Sequence, residues 1–342
     1  MIISRTPFRI SFFGGGTDYA IWYKENGGAV LATTIDKYCY ISCRYLPPFF
    51  DHMHRIVYSR IENVKNNDEI QHPAVKATFQ FMRIREGLEI HHDGDLPARA
   101  GLGSSSSFTV GLLNALYALK GQMVTKLQLA KEAIHIEQNI IKENVGSQDQ
   151  LLAAIGGFNK VDFTKEEDFK ITPVTISREK LNLLQDHLMF YFTGLSRFAT
   201  EIAKEQIENT HKKKRELTIM HQMVDEALRI LNSNTDIIDF GKLLHESWNL
   251  KRCLSDKISN PQIDDMYEAA KDAGAIGGKL LGAGGGGFML LFARPGDQPL
   301  IKKRLNKFLK VPFRFENHGS QIVVFQPDIT PEHPRHLQIP HA

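Results

Sequence analysis

The chain has 342 residues, of which 42% are hydrophobic and 24% charged. These values are typical of a globular protein and exclude a disordered or fibrous chain. Its 42 basic and 39 acidic side chains leave a formal net charge of +3, which is too small and too dispersed to indicate a nucleic-acid-binding surface. The length favours two packed domains or one large one.

Cysteine content and hydropathy indicate the cellular compartment. Three cysteines, Cys39, Cys43 and Cys253, cannot form an even disulfide framework, and none has the spacing of a metal ligand. The N-terminus opens with strand-like residues and not with an apolar signal segment, and no run of about 18 apolar residues occurs. We therefore expect a cytoplasmic protein that crosses no membrane.

Periodicity and glycine breaks predict mixed helices and strands in the first half of the chain. The predicted strands are 9–13, 28–44 and 88–92. The predicted helices are 20–25, 73–86, 104–119, 126–143 and 149–155. The sequence of strand, glycine-rich loop and helix around residue 100 is the arrangement that typically binds a phosphate.

A strand at 187–192 is expected to begin a second domain, with a boundary near residue 180. Further helices are predicted at 200–231, 237–255, 261–273 and 300–309, a hairpin at 279–293 and a strand at 321–325. The pattern predicts an α+β protein with an N-terminal domain at 1–180 and a C-terminal domain at 181–342.

Residues 97–107, which we name the phosphate loop, read Pro-Ala-Arg-Ala-Gly-Leu-Gly-Ser-Ser-Ser-Ser and precede an apolar helix. Glycines let backbone N–H groups turn toward an anion. The helix N-terminus adds unpaired N–H groups and a partial positive charge, so the segment predicts a cradle for nucleotide phosphates. An ordinary serine-capped helix is the alternative. A Walker A lysine and a three-glycine dinucleotide fingerprint are both missing.

Three charged residues are candidates for phosphoryl transfer, which needs a group near the hydroxyl proton, a metal and a cation near the phosphoryl group. Asp149 follows Gly146 where a helix begins, so its carboxylate either faces a pocket or simply stabilises the helix dipole. Glu137 either completes a Mg²⁺ shell with a serine of the phosphate loop or is a solvated helix acid. Arg9 interrupts an apolar strand and must find an anion or the sheet edge.

Three motifs together resemble the GHMP kinase superfamily, which includes galactokinase and the homoserine, mevalonate and phosphomevalonate kinases. They are Pro-Phe-Arg-Ile-Ser-Phe-Phe-Gly-Gly-Gly-Thr-Asp-Tyr at 7–19, Pro-x-x-x-Gly-Leu-Gly-Ser-Ser at 97–105 and Lys-Leu-Leu-Gly-Ala-Gly-Gly-Gly-Gly at 279–287. One motif would be a weak signal, but three span nearly the whole chain. The resemblance implies the GHMP kinase fold, with an N-terminal domain like ribosomal protein S5 domain 2 and a C-terminal ferredoxin-like domain.

The resemblance also implies ATP and Mg²⁺ as cofactors and a role for individual residues. It implies Asp149 as the catalytic acid/base near an anomeric hydroxyl and Arg9 as the residue that stabilises transferred charge. Ser105 and Glu137 would bind Mg²⁺. The residues that would contact ATP are Pro97, Gly101, Leu102, Gly103, Ser104, Ser105 and Ser106. Those that would contact the sugar are Gly15, Gly16, Thr17, Asp18, Gly284, Gly285 and Gly286, with the amides of Gly15 and Gly16 donating to its hydroxyls.

Within the superfamily, the segments 14–18, 146–150 and 192–197 are most similar to D-glycero-D-manno-heptose 7-phosphate kinases. Those enzymes make the heptose 1,7-bisphosphate that leads to GDP-heptose and bacterial surface polysaccharides. Fucose and arabinose kinases share parts of the pattern, so a free sugar such as fucose is an alternative substrate. A decarboxylase of the mevalonate branch and a non-catalytic sugar-binding protein are further alternatives, which the first motif and the retained charged residues disfavour.

A phosphate at the far end of the sugar requires a basic partner. Arg197, which follows a predicted strand and a glycine, is our prediction for this role, although a surface arginine at a helix start has the same pattern. Lys279 is a second candidate. Many members of the superfamily have an additional glycine between Pro97 and Gly101, where this chain has Ala-Arg-Ala, and the sequence indicates no role for Arg99.

Overall fold

The computed structural model describes residues 1–327 except 48, 99, 167 and 196–198. In this part of the chain the strands are β1 (Ile2–Phe13), β2 (Gly28–Tyr45), β3 (His54–Val57), β4 (Ile61–Val64), β5 (Leu88–Gly94), β6 (Phe158–Phe163), β7 (Phe169–Pro173), β8 (Leu188–Phe192), β9 (Ala275–Leu280), β10 (Phe288–Ala293), β11 (Leu309–Lys310), β12 (Phe315–Glu316) and β13 (Gln321–Phe325). The helices are α1 (Ala20–Asn26), α2 (Pro73–Met82), α3 (Ser104–Leu119), α4 (Lys126–His135), α5 (Gln148–Ile155), α6 (Arg178–Asp186), α7 (Ala199–Asn209), α8 (Lys214–Asn232), α9 (Ile238–Arg252), α10 (Pro261–Asp272) and α11 (Gln298–Arg304).

The first sheet is built around β2, which is long enough to pair with different strands at its two ends. Residues 28–33 of β2 pair with β6, and residues 39–45 pair with β5. The main path of the sheet is β13-β1-β2-β5-β3-β4. Helices α3, α5 and α8 all pack against β1 and β2. Residues 6–13 of β1 are therefore buried without the alternation of a surface strand.

The second sheet has the order β11-β8-β10-β9, with antiparallel pairing throughout. In chain order its strands and helices follow the β-α-β-β-α-β pattern of the ferredoxin-like fold. After β11 the chain returns to the first sheet, where β12 pairs with β2 and β13 pairs with β1. Strands β12 and β13 therefore belong to the first sheet, although they lie within the range 181–342 predicted for the second domain. The boundary near residue 180 stays a prediction.

Several predicted elements have the expected bounds, notably α3 and β13. The helix predicted to reach residue 86 ends at Met82, because Arg83 adopts a φ of 53° and closes it. The helix predicted at 200–231 is interrupted by a 3₁₀ turn at Thr210–Lys213. Strands β3, β4, β6 and β7 lie where no element is predicted. None of the described helices has both the length and the apolarity needed to cross a membrane.

Candidate active site

A cleft of about 990 Å³, which we call the central cleft, is lined by residues from both halves of the chain. The first half contributes the end of β1, the phosphate loop and the start of α5. The second half contributes α7, α9, β9 and the beginning of the glycine loop, which we define as residues 281–287 between β9 and β10. A cleft of this volume accommodates a nucleotide together with a small substrate.

The phosphate loop lies against β1 and leads into helix α3, whose first residues line the cleft. Gly103 is the N-cap of α3 with a φ of 74°, a conformation that favours glycine. Of the residues predicted to contact ATP, the cleft is lined by Gly101, Gly103, Ser104, Ser105 and Ser106. The other two do not line it: Pro97 is exposed, and Leu102 is buried in the core with its carbonyl oxygen accepting the Arg9 N–H at 3.2 Å.

Arg9 and Asp149 form a bidentate ion pair in the central cleft. Arg9 Nε donates to Asp149 Oδ1 at 2.7 Å, and Nη2 donates to Oδ2 at 2.9 Å. The remaining guanidinium nitrogen, Nη1, donates to the carbonyl oxygen of Gly101 at 2.8 Å. This arrangement fixes the planes of both side chains and joins the candidate catalytic carboxylate to the phosphate loop. Asp149 is thus more than a solvated first-turn acid, and its role in catalysis stays a prediction.

Asp18 is the second carboxylate of the cleft, and the chain around it is built to hold it. Its Oδ1 accepts the backbone N–H of Gly16 at 2.9 Å, and its Oδ2 accepts from the Gln148 side-chain amide at 2.9 Å. A Cβ on Gly146 would lie 1.9 Å from Oδ2, so only glycine fits there. Burial, followed by the negative charge of Asp149, raises the pKa of Asp18 above its usual value. The carboxylate therefore gains from hydrogen-bond donors on a bound ligand.

Thr17 does not face the cleft, contrary to the prediction that it binds the sugar. Its side chain is fully buried, and its hydroxyl bonds the carbonyl oxygens of Gly14 and Ala29 and accepts the Ala29 N–H. The Gly16 amide is likewise used within the protein, because it donates to Asp18. Gly15 and Gly16 do line the cleft.

The predicted substrate contacts of Gly284, Gly285 and Gly286 are also corrected. A Cβ on Gly284 would lie 2.7 Å from Ile258 Cα, and the Gly285 N–H donates to the Ile258 carbonyl oxygen at 2.9 Å. A Cβ on Gly286 would lie 2.7 Å from the carbonyl oxygen of Leu195. These glycines let backbone segments of the second half pack closely. The glycine loop reaches the cleft one turn earlier, at Gly282 and Ala283.

Glu137 is fully buried in the π-helical turn Ile136–Ile141 that continues α4. Its Oε2 accepts from the Ser106 hydroxyl at 2.8 Å and from the side-chain amide of Gln150. Ser105, which was predicted to share Mg²⁺ with Glu137, is exposed in the cleft, whereas the adjacent Ser106 is turned inward by α3. The metal ligands stay a prediction. Burial raises the pKa of Glu137 to about 7.

The residues around Glu137 fit a metal ion bound jointly with nucleotide phosphates. Glu137 Oε1 is buried and has no hydrogen-bond partner in the described residues. The described residues contain no cluster of three or more His, Cys, Asp or Glu side chains that could hold a metal without a ligand. Mg²⁺ is commonly bound by one or two carboxylates together with substrate phosphates, so one buried carboxylate beside serine hydroxyls matches that mode.

Two further polar residues of the cleft escaped the sequence prediction. Ser11 and Gln148 line it and are at most 8% exposed, yet Ser11 Oγ and Gln148 Oε1 have no hydrogen-bond partner within the described chain. A Cβ on Gly15 would lie 3.8 Å from Ser11 Oγ and 4.0 Å from the Gln148 amide nitrogen, so both groups flank that glycine. Ser11 could have been found from its spacing, because it shares a strand face with Arg9.

Four aromatic rings form what we call the aromatic pocket of the cleft. The His72 and Phe108 rings are stacked with centroids 4.6 Å apart. Tyr58 packs edge-on to His72, and His92 packs edge-on to Phe108. All four line the cleft. Flat aromatic walls of this kind suit a planar heterocycle. The four residues lie in separate parts of the chain, so no periodic pattern in the sequence indicates that they come together.

Comparison with protein families decides the relationship. The model described as GHMP kinases N terminal domain matches residues 70–157, and that described as GHMP kinases C terminal matches residues 223–311. The two matches together cover more than half of the chain. The chain belongs to the GHMP kinase family. It is therefore a kinase that uses ATP, as the three motifs predict.

Individual proteins of the family are similar to this chain at modest identity. The D-glycero-alpha-D-manno-heptose 7-phosphate kinase of Campylobacter jejuni is 29% identical over 90% of this chain and 93% of its own length. The bifunctional fucokinase/GDP-fucose pyrophosphorylase of Arabidopsis thaliana is 24% identical over 91% of this chain and 32% of its own length. A crystal structure of a D-glycero-D-manno-heptose 1-phosphate kinase from Bacteroides thetaiotaomicron superposes with a TM-score of 0.75 at 23% identity, covering 94% of this chain and 98% of that one. This last likeness shows the fold.

Proposed function

We propose that this GHMP kinase transfers the γ-phosphoryl group of ATP to the anomeric hydroxyl of D-glycero-D-manno-heptose 7-phosphate. The product is the 1,7-bisphosphate, made in the cytoplasm for GDP-heptose and surface polysaccharide synthesis. The observation that carries the proposal is the Arg9–Asp149 ion pair, which lies in the central cleft together with the phosphate loop and Asp18. The choice of heptose is supported by the similarity to the Campylobacter jejuni enzyme along nearly the whole of both chains.

In this reaction the anomeric oxygen forms a bond to the γ-phosphorus while the bond from that phosphorus to the β–γ bridging oxygen breaks, and ADP leaves. Asp149 accepts the hydroxyl proton. Arg9 holds the Asp149 carboxylate in one orientation and keeps a permanent positive charge beside the reacting groups. Asp18, Ser11 and Gln148 accept hydrogen bonds from sugar hydroxyls, which gives the buried oxygens of the latter two their missing partners.

ATP binds with its base in the aromatic pocket and its phosphates against the phosphate loop. The N–H groups at the start of α3 and the hydroxyls of Ser104 and Ser105 face those phosphates. When bound, Mg²⁺ would supply positive charge that offsets the charge of the ATP phosphates. We assign its protein ligands to Glu137 and to the neighbouring hydroxyls of Ser105 and Ser106. Arg197, predicted to bind the distal phosphate, lies outside the described residues, as does Arg99.

A kinase for a free sugar such as fucose is the second candidate, favoured by the similarity to the plant fucokinase. ADP release with Mg·ATP, measured against heptose 7-phosphate, free heptose, fucose and mevalonate, separates the candidates. We expect turnover with heptose 7-phosphate and a fall of about 10²–10⁴-fold in kcat for Asp149→Asn, the range for loss of a general base. ADP release without any sugar, or none with every acceptor, would contradict the proposal.

A further inference from the structure

Two lysines are buried next to each other in the wall of the central cleft. Lys251 comes from α9 and is 7% exposed, and Lys279 comes from β9 and is 3% exposed. Lys279 Nζ donates to the carbonyl oxygen of Phe12 at 2.7 Å. Lys251 Nζ donates to the carbonyl oxygens of Leu280, at 2.9 Å, and of Gly282. Both residues line the cleft.

Neither lysine has a carboxylate in contact. In the part of the chain that the structure describes, no ion pair involves Lys251 or Lys279, and the nearby Asp149 is already paired with Arg9. Asp18 accepts its hydrogen bonds from an amide and a backbone N–H. Burial, with the repulsion of Arg9, lowers the pKa of Lys279 to about 7. Burial and the charge of Lys279 lower the pKa of Lys251 well below its usual value. Buried ammonium groups are costly without an anion.

In their protonated forms, which a bound anion would favour, the two lysine side chains keep hydrogen-bond donors for a ligand. Each carries three N–H bonds, of which Lys251 uses two and Lys279 uses one within the described residues. The phosphates of ATP have other donors in the phosphate loop and the start of α3. Asp18, Ser11 and Gln148 offer oxygen acceptors that suit hydroxyl groups. The lysine pair is thus suited to an anion on the acceptor substrate, and a free sugar brings none.

We propose that Lys251 and Lys279 form the subsite for the phosphate group that the sugar already carries, and that this pair makes the kinase select sugar phosphates over free sugars. The inference rests on the proposed function and adds the residues that set its substrate class. A doubly negative phosphate would favour the protonated form of both lysines, accept their unused N–H bonds and supply the counter-charge. Charge-assisted hydrogen bonds of this kind are among the strongest in proteins.

The test compares Lys251→Met with Lys242→Met. Lys242 lies on the same helix, α9, but its side chain is 64% exposed and pairs with Asp239, so it is the matched control. We expect Lys251→Met to raise KM for heptose 7-phosphate by about 10- to 100-fold, the effect of losing a hydrogen bond to a charged group. KM for Mg·ATP and kcat/KM for free heptose should change less than about twofold, and Lys242→Met should behave as the unchanged protein. An equal fall in kcat/KM for heptose 7-phosphate and free heptose would overturn the assignment, and so would a rise in KM for Mg·ATP alone.

A binding measurement keeps the assignment testable without turnover. Calorimetry with inorganic phosphate, on protein saturated with a non-hydrolysable ATP analogue and Mg²⁺, should detect a site that is lost in Lys251→Met and kept in Lys242→Met. Lys279→Met should lose the same site, which covers the case in which Lys251→Met does not fold. Absence of phosphate binding to the unchanged protein refutes the lysine assignment. Absence of turnover with either heptose, while phosphate still binds, refutes the proposed substrate instead.

Discussion

At the scale of single residues, the chemistry of the cleft depends on side chains that the backbone forces into contact. Arg9 was predicted to have an anionic partner because an arginine inside an apolar strand needs one, whereas the first-turn position of Asp149 fits a dipole-stabilising acid equally well. Thr17 matches the family motif, but its side chain does not face the cleft. A threonine in a tight turn can form hydrogen bonds with nearby backbone groups instead. Ser106, and not Ser105, bonds Glu137 because of the way α3 is rotated about its axis. A run of four serines does not indicate which of them faces inward.

Gly146 gives a residue-scale prediction about Asp18. In Gly146→Ala, the added Cβ would lie 1.9 Å from Asp18 Oδ2, so the carboxylate must leave its contacts with Gly16 and Gln148. We expect KM for the sugar to rise about 10- to 100-fold, as when a charged hydrogen bond is lost, with KM for ATP nearly unchanged. Steady-state kinetics with each substrate varied checks this. Gly296→Ala is the control, because nothing lies within 4 Å of a Cβ there and neither glycine has a positive φ.

At the scale of elements, long periodic helices were predictable and short irregular ones were not. Helix α3 has its predicted bounds because a glycine N-cap and a continuous apolar run define both ends. The hairpin of β3 and β4 has only four residues in each strand, too few for a period to show. The π-helical turn after α4 is closed by Lys142 at a φ of 62°. The sequence of this turn looks like that of an ordinary helix, although π-turns often occur at functional sites.

The contact between the phosphate loop and the glycine loop gives an element-scale prediction. In Gly282→Ala, the added Cβ would lie 2.3 Å from Gly101 Cα, and φ at Gly282 is 73°. The two loops must therefore separate, and Arg9 then loses its fixed position on the Gly101 carbonyl oxygen. We expect kcat to fall by about 10- to 100-fold, since a displacement near 1 Å in a catalytic array can cost that much.

The control for the loop contact is Gly121→Ala. Gly121 has a similar φ of 66° but nothing within 4 Å of a Cβ, so it reproduces the backbone strain without the steric clash. That strain should lower stability by about 1 kcal/mol and leave kcat unchanged. Equal kcat values for the two variants would mean that the loops do not need their close contact for catalysis.

At the scale of the whole molecule, the sequence predicted the α+β class and both glycine loops but not the path of the C-terminal residues. Strands β12 and β13 close the first sheet by pairing with β2 and β1. Pairing between residues about 300 positions apart produces no local sequence pattern. Proximity in sequence therefore places the last strand in the second domain, which is wrong. After β11 the chain returns to the first sheet. Both halves of the chain line the central cleft, with Arg9, Lys251 and Lys279 in its wall.

The buried lysines make the stability of the whole chain depend on pH. Lys279 has a pKa of about 7 in the folded protein, against 10.5 for an unperturbed lysine. Between these values the unfolded chain binds a proton that the folded chain does not, so the free energy of unfolding rises as pH increases. Lys279→Met removes this contribution. We expect the stability of the variant relative to the unchanged protein to be greater at pH 7 than at pH 9, by on the order of 1 kcal/mol. Urea unfolding of both proteins at the two pH values measures it. A difference that stays constant between pH 7 and pH 9 would mean that Lys279 remains charged in the folded protein, held by an anion within the chain.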